Sequence, residues 1–359
     1  MAKKIDKTVF VGVSGGVDSS VAAALLKEQG YNVVGVFIRT WTPEFIKCTW
    51  KEERRDAMRV CAHLDIPFLE CDAEESYKKG VADYMINEYK IGNTPNPDVM
   101  CNREVKFGIF WEFAKARGAD FIATGHYARV LPVISQDKFE LHTGLDFSKD
   151  QSYFLWTLTQ DDLDHTIFPV GHLQKIEVRK IANKYNLPTA TKKDSQGVCF
   201  LGPLDMKDFL KHYIEPKMGD VIDEEENVIG SHDGATFFTL GERHGFTINK
   251  NINNSLALYV VSKNIEANTL TVSSKNKLED YYLNNNISGF RTNWIFSLPK
   301  KDKKYTAQIR YHGELLICSI KILEDNKCQL FFDKNIIIDK GQSIVFFDKD
   351  NCLGGCIVG

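Results

Sequence analysis

The chain has 359 residues, of which 43% are hydrophobic and 26% charged, and its formal net charge is −3. That length suits two or three domains, and the composition is globular, not disordered or fibrous. No apolar run is long enough to cross a bilayer, the charged opening Met1–Lys7 runs straight into a strand, and the net charge excludes binding of nucleic acid through bulk charge; a cytoplasmic protein with only local basic surface is expected.

Strand and helix alternate over the first 125 residues. Residues 8–13 form a continuous apolar run that reads as a buried parallel strand. A helix at 17–29 closes on Gly30 and is followed by a strand at 33–38. Residues 51–64 place Ala57, Val60, Cys61 and Leu64 at helical spacing, before a strand at 66–71. Helices at 75–90 and 103–117, a strand at 121–124 and a helix at 173–185 complete a parallel sheet covered on both faces. Its ligands are expected at the carboxyl ends of the strands. After about Pro203 the pattern changes. Residues 220–226 read as an acidic turn, and short strands are expected at 257–262, 269–273, 306–311, 315–323, 329–332 and 343–347. These suggest one or two small barrels or sandwiches.

The first strand ends in Gly12-Val13-Ser14-Gly15-Gly16-Val17-Asp18-Ser19-Ser20. Small residues let backbone N–H groups approach an anion, and the helix N-terminus adds partial positive charge, so the segment reads as a phosphate cradle. It has neither the lysine of a Walker loop nor a GxGxxG pattern. The string resembles the loop of the ATP-pyrophosphatase superfamily, which implies cleavage of ATP between its α and β phosphates. Removing the freedom of Gly15 or Gly16 is expected to obstruct the cradle with little loss of folding.

Further strings narrow the choice. Thr94-Pro95-Asn96-Pro97-Asp98-Val99-Met100-Cys101-Asn102 sets an aspartate three residues before a cysteine, Ala123-Thr124-Gly125-His126-Tyr127-Ala128-Arg129 ends a strand, and Asp194-Ser195-Gln196-Gly197-Val198-Cys199-Phe200 carries a second cysteine. Both cysteines are expected in polar loops. With Lys149-Asp150-Gln151-Ser152-Tyr153-Phe154-Leu155, Arg310-Tyr311 and Gly341-Gln342, these strings resemble the bacterial tRNA-specific 2-thiouridylases along nearly the whole chain.

That resemblance implies a parallel-sheet ATP-pyrophosphatase domain at 1–203, a small β-rich linker domain at 204–278 and a barrel-like tRNA-binding domain at 279–359. A chain ending near Leu278 would then keep ATP binding and lose most tRNA affinity. It also implies ATP with Mg²⁺ as substrate, tRNAs for lysine, glutamate and glutamine as partners, and a persulfide donor or relay protein. Among site residues, Cys199 would carry the persulfide and Cys101 would be its nucleophilic partner, the two joining in a transient disulfide. Asp98 is a plausible acid/base beside them. ATP would be held by Gly12, Val13, Ser14, Gly15, Gly16, Val17, Asp18 and Ser19, with Ile38 and Gly125 on the adenine side. Asn96, Pro97, Asp98, His126, Lys149, Asp150, Gln151, Arg310, Tyr311 and Gln342 would contact tRNA, helped by Lys300, Lys301, Lys303 and Lys304. Ile38, Glu242, Lys340 and Cys356 depart from the family's strings.

Of the nine cysteines, Cys48, Cys61, Cys71, Cys318 and Cys328 read as structural, and no CxxC pair marks a metal or iron–sulfur site. Two other readings are a 4-thiouridine or 2-thiocytidine synthetase and a tRNA-binding relative without catalysis.

Overall fold

The structure is a computed structural model that describes residues 5–46, 50–194, 197, 199–202, 204–248, 257–274 and 284–359. Cys48, the Ser195, Gln196 and Val198 of the second cysteine string, and Leu278 lie outside the described residues, as do Pro203 and residues 278–279, where domain boundaries are expected.

Five parallel strands make the first sheet, in the order β3 (Phe68–Asp72), β2 (Asn32–Arg39), β1 (Thr8–Gly12), β4 (Phe121–Ala123) and β7 (Thr166–Ile167). Alternation along β1 explains why the strand reads as continuously apolar. Val9 and Val11 face one core with Val21, Ala22 and Leu26 of the helix α1 (Val17–Gln29), whereas Phe10 faces the other core with Val36 and Phe110. Gly30 ends α1 in the left-handed conformation at φ 98°, its N–H capping the carbonyls of Leu26 and Lys27.

Two helical runs depart from the expected boundaries. Residues 97–115 are continuously helical, beginning six residues earlier than the pattern suggests. The cause is the local cap: Asn96 is extended and its Oδ1 accepts from the N–H groups of Asp98 and Val99, with Pro97 at the first helical position. Cys101 is therefore a buried helical residue and not a loop residue. This run contains a π-helical stretch, Asn102–Ile109, and the neighbouring run 74–90 contains another, Lys78–Asp83.

A second sheet runs β10 (Thr247–Ile248), β9 (Val228–His232), β8 (Gly219–Ile222), β12 (Thr269–Ser274) and β11 (Leu258–Asn264). The acidic run at 220–226 is thus half strand. The third sheet closes on itself: β13 (Asn284–Trp294), β16 (Lys327–Ile336), β15 (Leu315–Leu323), β14 (Lys304–Gln308), β17 (Ser343–Asp348) and β18 (Asn351–Val358) form a six-stranded barrel sealed by the β13–β18 pairing. Strand 306–311 was expected to run through Arg310 and Tyr311, but β14 stops at Gln308 and both residues lie in the turn beyond it.

An antiparallel hairpin, β5 (Ala128–Val133) and β6 (Lys138–Thr143), leaves the first sheet and pairs with the barrel, Asn351 opposite His142 and Cys352 opposite Leu141. Arg129 pairs with Asp350 across the same seam at 2.8 Å. Trp156 is buried against Gly355, where a Cβ would stand 2.8 Å from the indole. The barrel therefore packs on the first domain at Leu141 and Trp156. A further junction draws on all three sheets' regions. Asp339 accepts from Thr94 Oγ1 at 2.9 Å, Lys263 Nζ at 2.6 Å and the Leu240 N–H at 3.3 Å.

Candidate active site

The glycine-rich loop turns between β1 and α1. Gly15 sits at φ +73°, where a Cβ would also come within 2.7 Å of the Glu53 carbonyl. Gly16 is extended and caps α1 without any side-chain acceptor, so the first N–H groups of this helix are offered outward in the manner of an anion site. Ser19 Oγ accepts from the Ser14 N–H at 3.2 Å, and the Ser20 hydroxyl donates to the Gly16 carbonyl at 2.7 Å. Gly125 approaches so closely that a Cβ would stand 2.6 Å from the Ser19 nitrogen. Ile38 is buried at the carboxyl end of β2, beside Gly12. Loop, Gly125 and Ile38 thus share one edge of the sheet.

Asp18 points from α1 to a polar cluster. It accepts from the Tyr127 hydroxyl at 2.7 Å and from Lys175 Nζ at 2.8 Å. Lys175 also reaches Asp194 at 2.8 Å, where Lys149 and Arg179 converge at 2.9 and 2.6 Å. Burial, the largest influence, would raise the Asp194 carboxyl, but the hydrogen bonds and charges of Lys175 and Lys149 hold it below its ordinary range, at about 2. The segment leading to Cys199 is thereby tied to the phosphate loop.

The cysteines themselves meet. The Cys101 thiol donates to the Cys199 sulfur at 3.4 Å, a non-bonded separation between residues 98 positions apart. Asp98, one turn before Cys101, accepts the Cys199 N–H at 2.9 Å, and the Tyr77 hydroxyl donates to the Cys199 carbonyl at 2.8 Å. The hydrogen bond from Cys101 draws the Cys199 thiol down to about 7 despite burial, and Lys106 adds to the shift; burial and the same bond push Cys101 up. Burial also raises the Asp98 carboxyl.

Residues expected to touch tRNA divide into two groups. Asn96 and Pro97 build the helix start, His126 is buried, and its Nδ1 lies 2.7 Å from Thr124 Oγ1. Asp150 accepts the N–H groups of Gly144 and Ser152, Gln151 accepts the Tyr127 N–H, and Gln342 accepts the Asp339 N–H. These positions shape the loops. Tyr311 is 40% exposed, with its ring 4.4 Å from that of Phe154, and Arg310 donates to the Leu240 carbonyl at 2.9 Å. Lys303 and Lys304 are paired with Asp348 and Asp333, whereas Lys300 and Lys301 are exposed. Glu242, which departs from the family string, is paired with Lys207 at 2.9 Å and also accepts the Thr239 N–H, so its charge is compensated.

Lys106 was not singled out from the sequence. The signal was there: one lysine between Val105 and Phe107, both buried, in a helix whose neighbours are apolar. Among the described residues no group of three or more His, Cys, Asp or Glu side chains could hold a metal ion, and no helix is long and apolar enough to cross a membrane.

Family models match the chain end to end. The tRNA methyl transferase HUP domain matches residues 7–203, the tRNA methyl transferase PRC-barrel domain 207–274 and the aminomethyltransferase beta-barrel domain 285–358. Among curated proteins, the tRNA-specific 2-thiouridylase MnmA of Bacillus cytotoxicus is 42% identical over 98% of this chain and 94% of its own length. That of Alkaliphilus oremlandii is 43% identical over 98% and 97%. The fold and loop thus define a tRNA-modifying enzyme built on an ATP-pyrophosphatase domain. The chain belongs to the tRNA-specific 2-thiouridylase family, which makes it a tRNA sulfurtransferase. A solved structure of the U34-tRNA thiolase NcsA from Methanococcus maripaludis superposes with a TM-score of 0.37 and 18% identity, covering 59% of this chain and 68% of that one.

Proposed function

We propose that this enzyme thiolates C2 of the wobble uridine in tRNAs for lysine, glutamate and glutamine, in the cytoplasm, using ATP with Mg²⁺ and a sulfur atom delivered to Cys199 by a protein persulfide. The observation that carries the reading is the 3.4 Å approach of Cys101 and Cys199 beside Asp98, at the same sheet edge as the phosphate loop.

The residues fit the chemistry in order. The N–H groups at the start of α1 and the loop from Gly12 to Ser19 would hold the β and γ phosphates, with adenine toward Ile38 and Gly125. The uridine C2 oxygen attacks the α-phosphorus, pyrophosphate leaves, and the oxygen becomes part of a good leaving group. An extruded base would enter beside Asn96, Pro97 and Asp98. The terminal sulfur of the Cys199 persulfide attacks C2 and AMP departs, leaving the base joined to Cys199 through an S–S bond. The Cys101 thiolate then attacks the Cys199 sulfur, expelling the 2-thiouridine and forming the Cys101–Cys199 disulfide, which an external dithiol reduces. Asp98, whose carboxyl is raised by burial against the Cys199 N–H and the Lys106 charge, is placed to exchange the proton at this centre.

The test uses full-length Cys101→Ser and Cys199→Ser enzymes. Each loses thiolation and keeps ATP binding, only Cys199 takes up label from a persulfide donor without tRNA, and wild type without reductant yields the disulfide in a peptide map. Normal thiolation by Cys199→Ser with a protein persulfide donor would sink the scheme.

A further inference from the structure

The helix that carries Cys101 changes its winding immediately after that residue. In an α-helix a residue five places on lies roughly 140° around the axis. The π-helical stretch Asn102–Ile109 replaces this with i→i+5 bonding, which brings residues five apart toward one side. Asp98, Cys101 and Lys106 therefore share a face, and the cost of the irregular winding falls where it aims a lysine at a pair of sulfurs.

The surroundings of Lys106 are those of a charge held for a partner. Its ammonium lies 3.5 Å from His126 Nε2 and 5.8 Å from the centre of the ring of Phe200, the residue after Cys199, and its charge acts on the Cys199 sulfur. It is half-buried, and among the described residues it makes no ion pair with a carboxylate. Asp98, the nearest acid, turns its Oδ1 to the Cys199 N–H. His126 is neutral, because burial and the Lys106 charge both lower it, and with Nε2 facing the ammonium its Nδ1–H is left to donate to Thr124. Tyr77, from the helical run 74–90, is a neutral donor to the Cys199 carbonyl, and Tyr311, from the barrel, is an uncharged phenol raised by burial and by the charges of Asp150 and Asp98. Among these groups Lys106 alone brings positive charge to the sulfurs.

We propose that Lys106 is a catalytic residue of the sulfur-transfer centre, the standing cation that holds Cys199 as the thiolate which accepts sulfur. The proposal rests on the reading of Cys199 as the sulfur carrier. The Cys199 thiolate attacks the terminal sulfur of a donor persulfide, R–S–SH. A new S–S bond forms, the donor's S–S bond breaks, its electron pair leaves with R–S⁻, and the proton stays on the transferred sulfur. No external oxidant enters. Once that proton is lost, the persulfide anion stands beside the same ammonium. Burial is the largest influence on Lys106 and would by itself favour a neutral lysine, but the charge on the Cys199 sulfur, with smaller contributions from the Cys101 side chain and Asp98, raises it.

The experiment follows alkylation of Cys199 by iodoacetamide against pH in the full-length enzyme, without ATP, tRNA or donor, reading the Cys199 peptide by mass spectrometry. Lys106→Met raises the pH midpoint by at least about one unit, so labelling at pH 7 slows about tenfold. Lys106→Arg restores the midpoint, and thermal unfolding with ATP binding confirms an intact fold. Lys106→Gln replaces Lys106→Met if the latter does not fold; should both fail, Lys106→Arg alone must match wild type. A wild-type midpoint in Lys106→Met, or an equal shift in Lys106→Met and Lys106→Arg, overturns the role of the charge. If wild-type Cys199 takes no sulfur from a persulfide donor, the earlier reading falls, whatever Lys106 does in this titration.

Discussion

Replacing Asp339 by alanine tests how the three regions are fastened. Asp339 and Lys263 are 4% and 8% exposed and 2.6 Å apart, so both charges are out of water and each depends on the other. Asp339→Ala strands the Lys263 ammonium with the Phe238 carbonyl as its other acceptor, at a cost of about 3–5 kcal/mol. It also strips the acceptor from Thr94 Oγ1 and the Leu240 N–H, about 1 kcal/mol each. Lys263→Met costs less, because Asp339 keeps Thr94, Leu240 and the Lys340 N–H. The double variant Lys263→Met/Asp339→Ala loses less than the sum of the singles, since neither charge is left alone. Calorimetry and urea unfolding of the four proteins, with trypsin cleavage after Arg243 as a local probe, measure the cycle. An Asp339→Ala protein no less stable than Lys263→Met would refute the argument that the buried carboxylate fastens this junction.

Gly15→Ala and Gly16→Ala separate loop geometry from anion binding. At Gly15 the left-handed φ and the Glu53 carbonyl make even a methyl costly, contrary to the expectation of little folding loss, so melting falls; at Gly16 a Cβ meets only Ser14 Oγ at 3.4 Å, so the fold stands while release of AMP and pyrophosphate slows. ADP as the product of either protein would contradict the assignment. Because Cys199 titrates near 7, its thiolate is present above that pH and is lost below it; donor-dependent sulfur loading therefore falls about tenfold per unit below pH 6, and a flat profile from pH 5 to 8 would show that a different group accepts sulfur. Lys300→Ala/Lys301→Ala weakens tRNA binding and flattens its salt dependence by about one unit of slope per lost phosphate contact; an unchanged slope removes these lysines from the interface.

Strands β1 and β2 were legible in the sequence because they are largely buried on both faces and therefore read as apolar runs, as at Val9–Phe10–Val11, whereas the two-residue β7 was too short to give a pattern. Helix α1 was legible because Gly16 and Gly30 mark its ends. The start of the helix carrying Cys101 was not, because Thr94–Pro97 carries two prolines that read as loop, while the second of them occupies a first helical position. The hairpin β5–β6 was missed for a different reason. Its residues Leu131, Pro132 and Val133 lack a clean alternation, and its partner is Asn351–Cys352, far along the chain. Both cysteines were legible as a pair only through their strings; their spacing of 98 residues carries no information about contact. Lys106 needed the π-helical winding, and no periodicity rule applied to an α-helix would turn it toward Cys101.

The seam between β6 and β18 also sets an order of events in the life of the chain. Leu141 emerges from the ribosome early, yet the strand β18 that pairs beside it is made roughly two hundred residues later. At about 5–20 residues per second, roughly two hundred residues of synthesis leave the first domain's flank uncovered for about ten to forty seconds. A nascent chain, or one terminated before β18, would present Leu141 and Trp156 to chaperones and proteases, so only a chain translated through β18 closes over its own catalytic domain.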